Sequence, residues 1–218
     1  MKFYLIRHGI TQDNIDLKFS GCQTDTPLIQ KGIDALDAVR DVPRGSILFV
    51  SPMLRARQTA RIMFPGKKQH VVDGFKEMDF GIFEAKNHLM LDGDPDYQAW
   101  LDSGGEAKIP GGESIGTFAE RTFAAFRNAA AKAAERGTDT VYVVAHGGTI
   151  MAVMSTLTGE DYFGFNVPNG MGYVIELEAD DAGNVTSAGS YDRFCGGLRD
   201  GYRDWRPPQY TPSDQVDR

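Results

Sequence analysis

The chain of 218 residues, with 41% hydrophobic and 24% charged side chains, has room for a substantial core and reads as one domain, 1–218. A formal net charge of −7 argues against a general nucleic-acid binder or a coat for anionic membrane, so any anion site must be built locally. No apolar run reaches the length of a membrane span and no signal-type segment is read, so a cytoplasmic protein is expected; Cys22 and Cys195, without metal-type spacing, are expected as free thiols.

Residues 2–6 form an apolar, aromatic-rich run suited to a buried strand, and the run stops at Arg7-His8-Gly9. A cation and an imidazole directly after a core strand are poor packing material, which marks a candidate site at the strand's end. Ile10 to Asn14 reads as a loop entering a helix, and residues 20–27 as a polar loop. Ile33, Leu36 and Val39 predict a helix over Lys31–Arg40, broken by Pro43-Arg44-Gly45. Ile47 to Val50 is a second buried strand. Ser51 then offers an N-cap and Pro52 a first turn, so a helix is expected to about Phe64, with Arg55 near its start. Residues 69–72 are a weak strand, and Phe75 to Glu84 carries Glu77, Asp79 and Glu84. Residues 85–116 are irregular apart from a short helix around Tyr97–Leu101, and read as a lid or specificity insertion. Thr117 and Glu120 fit a capping box for an Ala-rich helix that ends at Gly137. Thr140 to Ala145 is the clearest strand, ending at His146-Gly147-Gly148. Ile150 to Thr158 reads as a buried helix, and 171–177 and 184–190 as two later strands with a turn at 180–183. The tail from Asp192, with Arg199, Tyr202, Arg203, Trp205 and Arg206, shows no periodic core and is expected to run over the surface.

This alternation implies a three-layer α/β/α fold with a mainly parallel central sheet. Ligands in such sheets bind beyond the carboxyl ends of the strands, where Arg7, His8, Arg55, Glu77 and His146 each follow an apolar run. Arginine forks match phosphate oxygens, histidines serve as nucleophile or proton carrier, and the free N–H groups at Gly147 favour an anion. No carboxylate pair or His cluster has metal spacing, and no P-loop is present, so no metal or cofactor is called for. Phosphoryl transfer through a histidine is what remains.

The sequence resembles the histidine phosphatase superfamily, also called the phosphoglycerate mutase-like family, over roughly residues 1–177. Arg7-His8-Gly9-Ile10-Thr11-Gln12-Asp13-Asn14 matches R-H-G-x-T-x-x-N, and Ser51 to Ala60 matches S-P-x-x-R-A-x-Q-T-A. Glu77 to Glu84 matches E-x-x-F-G-x-W-E, with Phe83 for the Trp. Pro110-Gly111-Gly112-Glu113-Ser114 with Phe118 and Arg121, and then Val144 to Gly148, complete the series in order. The resemblance implies a phosphoglycerate mutase-like fold with His8 as a nucleophile that becomes phosphohistidine. It implies that Arg7, Arg55 and His146 bind the transferring phosphoryl group, that Glu77 is the proton donor and that Asn14 is a polar phosphate contact. Thr11, Gln23 and Gly147 join Asn14 as phosphate or substrate contacts. Ile10, Ile29 and Ala85 depart from the frequent family residues at their positions.

Two activities within the family are weighed. The mutases carry a basic insertion after the acid, whereas Asn87 to Pro110 here holds Asp92, Asp94, Asp96, Asp102 and Glu106 against Lys108. An acidic lid repels a doubly phosphorylated sugar acid, so a phosphatase is favoured over a cofactor-dependent phosphoglycerate mutase. The motif set is similar to α-ribazole phosphatases and broad-specificity members, which makes α-ribazole 5'-phosphate a candidate substrate. The expected partner is a small-molecule phosphate ester, with no nucleic acid, no membrane and a homodimer as an option. A non-catalytic phosphoester-binding protein on the same scaffold is the reading from another class.

Overall fold

The computed structural model describes residues 1–180 and 185–202. Six strands form one sheet in the order β3-β2-β4-β1-β5-β6, with β1 Lys2–Arg7, β2 Ile47–Val50, β3 Gln69–Val71, β4 Thr140–Ala145, β5 Gly172–Ala179 and β6 Val185–Phe194. Strands β1 to β4 run parallel, and β5 and β6 are added antiparallel at one side. Alternate side chains feed two cores. Phe3, Leu5, Phe49, Val141 and Val143 pack beneath α5 (Ile115–Glu135) and α6 (Gly147–Thr158). Ile6, Leu48, Val50, Tyr142 and Val144 pack on the opposite face against Ala56, Ala60 and Met63 of α3 (Leu54–Met63). The three-layer expectation therefore holds, with the sheet mixed at its β5–β6 side. A third cluster, including Phe83, Leu91, Tyr97, Ile109 and Phe118, lies under residues 85–116, where α4 (Pro95–Asp102) is capped by Asp94. Two short helices, α1 (Gln12–Ile15) and α2 (Gln30–Asp34), complete the set.

Several local expectations need correction, and each has a long-range cause. The helix expected over Lys31–Arg40 stops at Asp34, because Leu36 pairs with Leu198 and Arg199 N–H bonds to Ala35 O. For the same reason the tail does not run free from Asp192: β6 extends to Phe194 and Leu198 is buried in the second core. Arg203, Trp205 and Arg206, and the turn residues 181–183, lie outside the described residues. Ser51 does not cap α3, whose N-cap is Met53. The long helix starts earlier than expected: Ser114 and Thr117 form its capping box. Helix α6 likewise begins at Gly147 rather than Ile150. Among the described residues, no helix is long and apolar enough to cross a membrane.

Candidate active site

Strand register brings the site together. Arg7 pairs with Ala145, and His8 N–H bonds to Ala145 O at 2.9 Å, so His8 and His146 leave neighbouring parallel strands side by side. Their ring centroids are 5.2 Å apart. Ser51, leaving β2 on the other side of β4, donates its N–H to Val144 O. A cavity of about 260 Å³ opens above these strand ends, and Arg7, His8, Asn14, Glu77, Gly147 and Gly148 line it.

His8 is 5% exposed, and its Nδ1 lies 2.6 Å from Gly9 O. A carbonyl only accepts, so Nδ1 carries the proton and Nε2 keeps its lone pair. Burial, with Arg55 and Arg7 adding to it, holds the imidazole well below the usual histidine range and therefore neutral. Thr59 secures the following turn, since its Oγ1 accepts from Gly9 N and donates to Arg55 O.

Glu77 is positioned from two sides. Arg121 of α5 donates to the carbonyls of Gly74, Lys76 and Glu77, and is itself held by Glu113 at 2.6 and 2.8 Å. The Glu77 carboxyl accepts from Met78 N at 3.0 Å and from Gly148 N at 3.1 Å. Gly148 is needed for this approach, because a Cβ there would run into Glu77 Oε1. Burial raises the Glu77 pKa above the usual carboxylate value, against the opposing pull of those two N–H groups and the nearby arginines.

Arg55 and His146 are fully buried and lie behind His8, outside the lining of the cavity. The Arg55 fork donates to Thr24 O, Ser20 O and Gly21 O, and its Nε faces His146 Nδ1 at 3.3 Å. His146 Nε2 meets Ser51 Oγ at 2.7 Å. With Nδ1 accepting from arginine, Nε2 carries the proton and donates to Ser51. The same Ser51 oxygen also accepts from Met53 N at 3.3 Å, and Met53 is the N-cap of α3. The structure thus brings together all five predicted catalytic residues, of which Arg7, His8 and Glu77 line the cavity. Arg7 Nη1 donates to Val167 O at 2.6 Å and faces Asn166 Oδ1 at 3.4 Å.

The four predicted phosphate or substrate contacts separate. Asn14 and Gly147 line the cavity. Thr11 is fully buried, caps α1 and donates to Asn14 Oδ1. Gln23 is held by Asp79 Oδ1 at 2.7 Å and does not line the cavity. The outer wall is apolar, built by Phe19, Phe80, Trp100, Met151, Tyr162 and Phe163. Sequence reading assigned no role to Thr59, Glu113 or Arg121 and took Ser51 as an N-cap, although all four lie inside quoted motifs; Asn169, whose amide touches the His8 backbone, lies in none. Among the described residues, no three His, Cys, Asp or Glu side chains are arranged to hold a metal ion.

The model of the histidine phosphatase superfamily (branch 1) matches residues 3–187. The chain belongs to this family. Over 187 residues it is 29% identical to the adenosylcobalamin/α-ribazole phosphatase of Escherichia coli K12, covering 81% of this chain and 90% of that one. It is 30% identical over 167 residues to a probable phosphoglycerate mutase GpmB of Enterobacter sp., covering 73% of this chain and 75% of that one. The crystal structure of the α-ribazole phosphatase from Shigella flexneri superposes with a TM-score of 0.71 at 26% identity, covering 87% of this chain and 96% of that one. This histidine phosphatase is accordingly a phosphatase enzyme that acts on phosphate esters.

Proposed function

We propose that the enzyme hydrolyses a small-molecule phosphomonoester through a phosphohistidine at His8 Nε2, with α-ribazole 5'-phosphate as the candidate substrate. The observation that carries the mechanism is the tautomer of His8, whose Nδ1 is committed to Gly9 O and whose ring is neutral beside the cavity. Nε2 attacks phosphorus as the ester P–O bond breaks, and Glu77 protonates the departing alkoxide. Water then gives a proton back to Glu77 and attacks phosphorus, the P–N bond breaks and His8 is regenerated. Arg7, Asn14 and the Gly147 amide hold the phosphoryl oxygens, while Arg55 and His146 support His8 from behind. Residues 85–116 serve as a lid over the leaving group.

The α-ribazole reading is supported by the relatives' names, by the aromatic outer wall and by the acidic stretch 87–110. The GpmB-like relative keeps the mutase alternative in view, and the absence of added cations in that stretch weighs against it. Cys22 and Cys195, both free, fit a cytoplasmic setting. The test is turnover of α-ribazole 5'-phosphate within a panel of phosphate monoesters, together with trapping of an acid-labile phosphoenzyme. His8→Ala is expected to abolish the phosphoenzyme and lower kcat by on the order of 10⁴-fold or more. Efficient 2- and 3-phosphoglycerate interconversion, or a phosphoenzyme that survives His8→Ala, would overturn the proposal.

A further inference from the structure

Asn169 lies in the turn before β5, 6% exposed and far in sequence from the site motifs. Its Nδ2 reaches three oxygens: His8 O at 3.1 Å, Gly9 O at 3.3 Å and Asn14 Oδ1 at 3.0 Å. The opposite orientation of the amide would set its oxygen against all three, so the arrangement of its N and O is fixed by its surroundings. Asn14 Oδ1 also accepts from Thr11 N at 3.0 Å and Thr11 Oγ1 at 3.1 Å. Donors from two separate segments therefore hold the carbonyl end of Asn14. Its amide nitrogen, for which no hydrogen bond is found among the described residues, is left for the cavity that Asn14 lines with Arg7 and His8.

We infer that Asn169 is a positioning residue, which fixes the Asn14 carboxamide so that its N–H groups meet the phosphoryl oxygens next to His8. This rests on the phosphohistidine reading above and assigns a role to a residue outside the quoted motifs. Without Asn169, Asn14 keeps its bonds to Thr11 but loses the contact that ties it to the backbone carrying the nucleophile. The turn itself stays docked, because Gly170 N–H also bonds to Arg7 O and His8 O at 3.0 and 3.2 Å.

The test is a double-mutant cycle on the full-length enzyme, read as kcat/KM for p-nitrophenyl phosphate and as inhibition by orthovanadate. Asn14→Ala and Asn169→Ala each lower kcat/KM by about 10- to 100-fold and weaken orthovanadate. The double variant falls within about twofold of Asn14→Ala alone. Asn169→Asp preserves shape while removing the donor, so it loses at least as much as Asn169→Ala and serves where the latter fails to fold. Losses that multiply in the double variant overturn the inference, because a merely structural residue acts independently of Asn14. Wild-type activity in Asn169→Asp, or in Asn14→Ala, overturns it as well. Wild-type enzyme that shows neither turnover nor a phosphoenzyme defeats the phosphohistidine reading instead, which separates the two failures.

Discussion

The floor of the cavity and the lid above it are built on opposite principles. On the floor His8 and Glu77, and behind it Arg55 and His146, are all buried and each is held by specific hydrogen bonds. In the lid, Asp92, Asp96, Asp102 and Glu106 are exposed, and α4 is attached through rings: Phe83, Tyr97 and Trp100 meet one another and Phe19 at centroid distances between 5.5 and 6.2 Å. Directional bonds fix atoms to the tolerance that phosphoryl transfer needs, whereas ring packing holds a surface without fixing its polar groups. The difference supports the proposal that the floor sets the chemistry and that residues 85–116, as a lid, select the leaving group.

The largest effect should come from Glu77. Glu77→Gln leaves a group of similar shape that cannot protonate an alkoxide. In kcat/KM, which reads phosphoryl transfer to His8 and not the later hydrolysis, an alkyl phosphate should lose about 10²- to 10⁴-fold and p-nitrophenyl phosphate much less, because its leaving group needs little protonation. The pH profile carries the same information. Activity needs neutral His8, whose depressed pKa places the acid limb well below 6.5. It also needs protonated Glu77, whose raised pKa places the alkaline limb above 4.5. Glu77→Gln should remove the alkaline limb. Equal losses for both esters would assign the proton to another group.

A smaller effect, of a different kind, is expected from the lid. Trp100 lines the cavity, and its Nε1 is buried with no hydrogen-bond partner among the described residues. Trp100→Ala should raise KM for an aromatic ester by about 10-fold, the scale of one lost stacking contact. Orthovanadate, which fills the phosphoryl end alone, should bind as before. If orthovanadate weakens in step with the ester, the lid shapes the floor and the proposed division of labour fails.

The sequence made the floor legible because its residues sit at strand ends, where periodicity stops and charge begins. Parallel order β2-β4-β1 then places those ends together, as with Arg7 opposite Ala145. What local reading could not reach were bonds between distant segments. Ser51 looks like a helix cap, yet the helix starts after Met53 and the Ser51 hydroxyl meets His146, 95 residues away. Lys31 to Arg40 keeps helical spacing, yet Leu198 draws Leu36 into a bridge. Nor could local reading place the Arg55 fork against the loop carbonyls of Ser20, Gly21 and Thr24. Each miss reflects a polar group whose partner depends on the completed fold.

The same contrast reaches stability, where the expected effect is smallest. Burial holds His8 and His146 well below the ordinary histidine range in the folded protein. The unfolded chain takes up these protons near pH 6.5 while the folded chain refuses them. Their contribution to stability is therefore present above pH 6.5 and declines as pH falls toward the depressed folded values. Glu77 works in the opposite sense: its raised pKa gives a contribution that is full below 4.5 and lost as pH rises through the folded value. Each withheld histidine proton tilts unfolding free energy by about 1.4 kcal/mol per pH unit below 6.5. His146→Gln keeps a donor for Ser51 and removes one titrating site, so the pH slope of unfolding free energy, measured by denaturant unfolding, should become shallower as pH falls from 7.5 to 5.5, by an amount approaching one proton at the acid end. An unaltered slope in His146→Gln would mean that the folded protein admits the proton at His146, and that the floor is less closed to water than its hydrogen bonds imply.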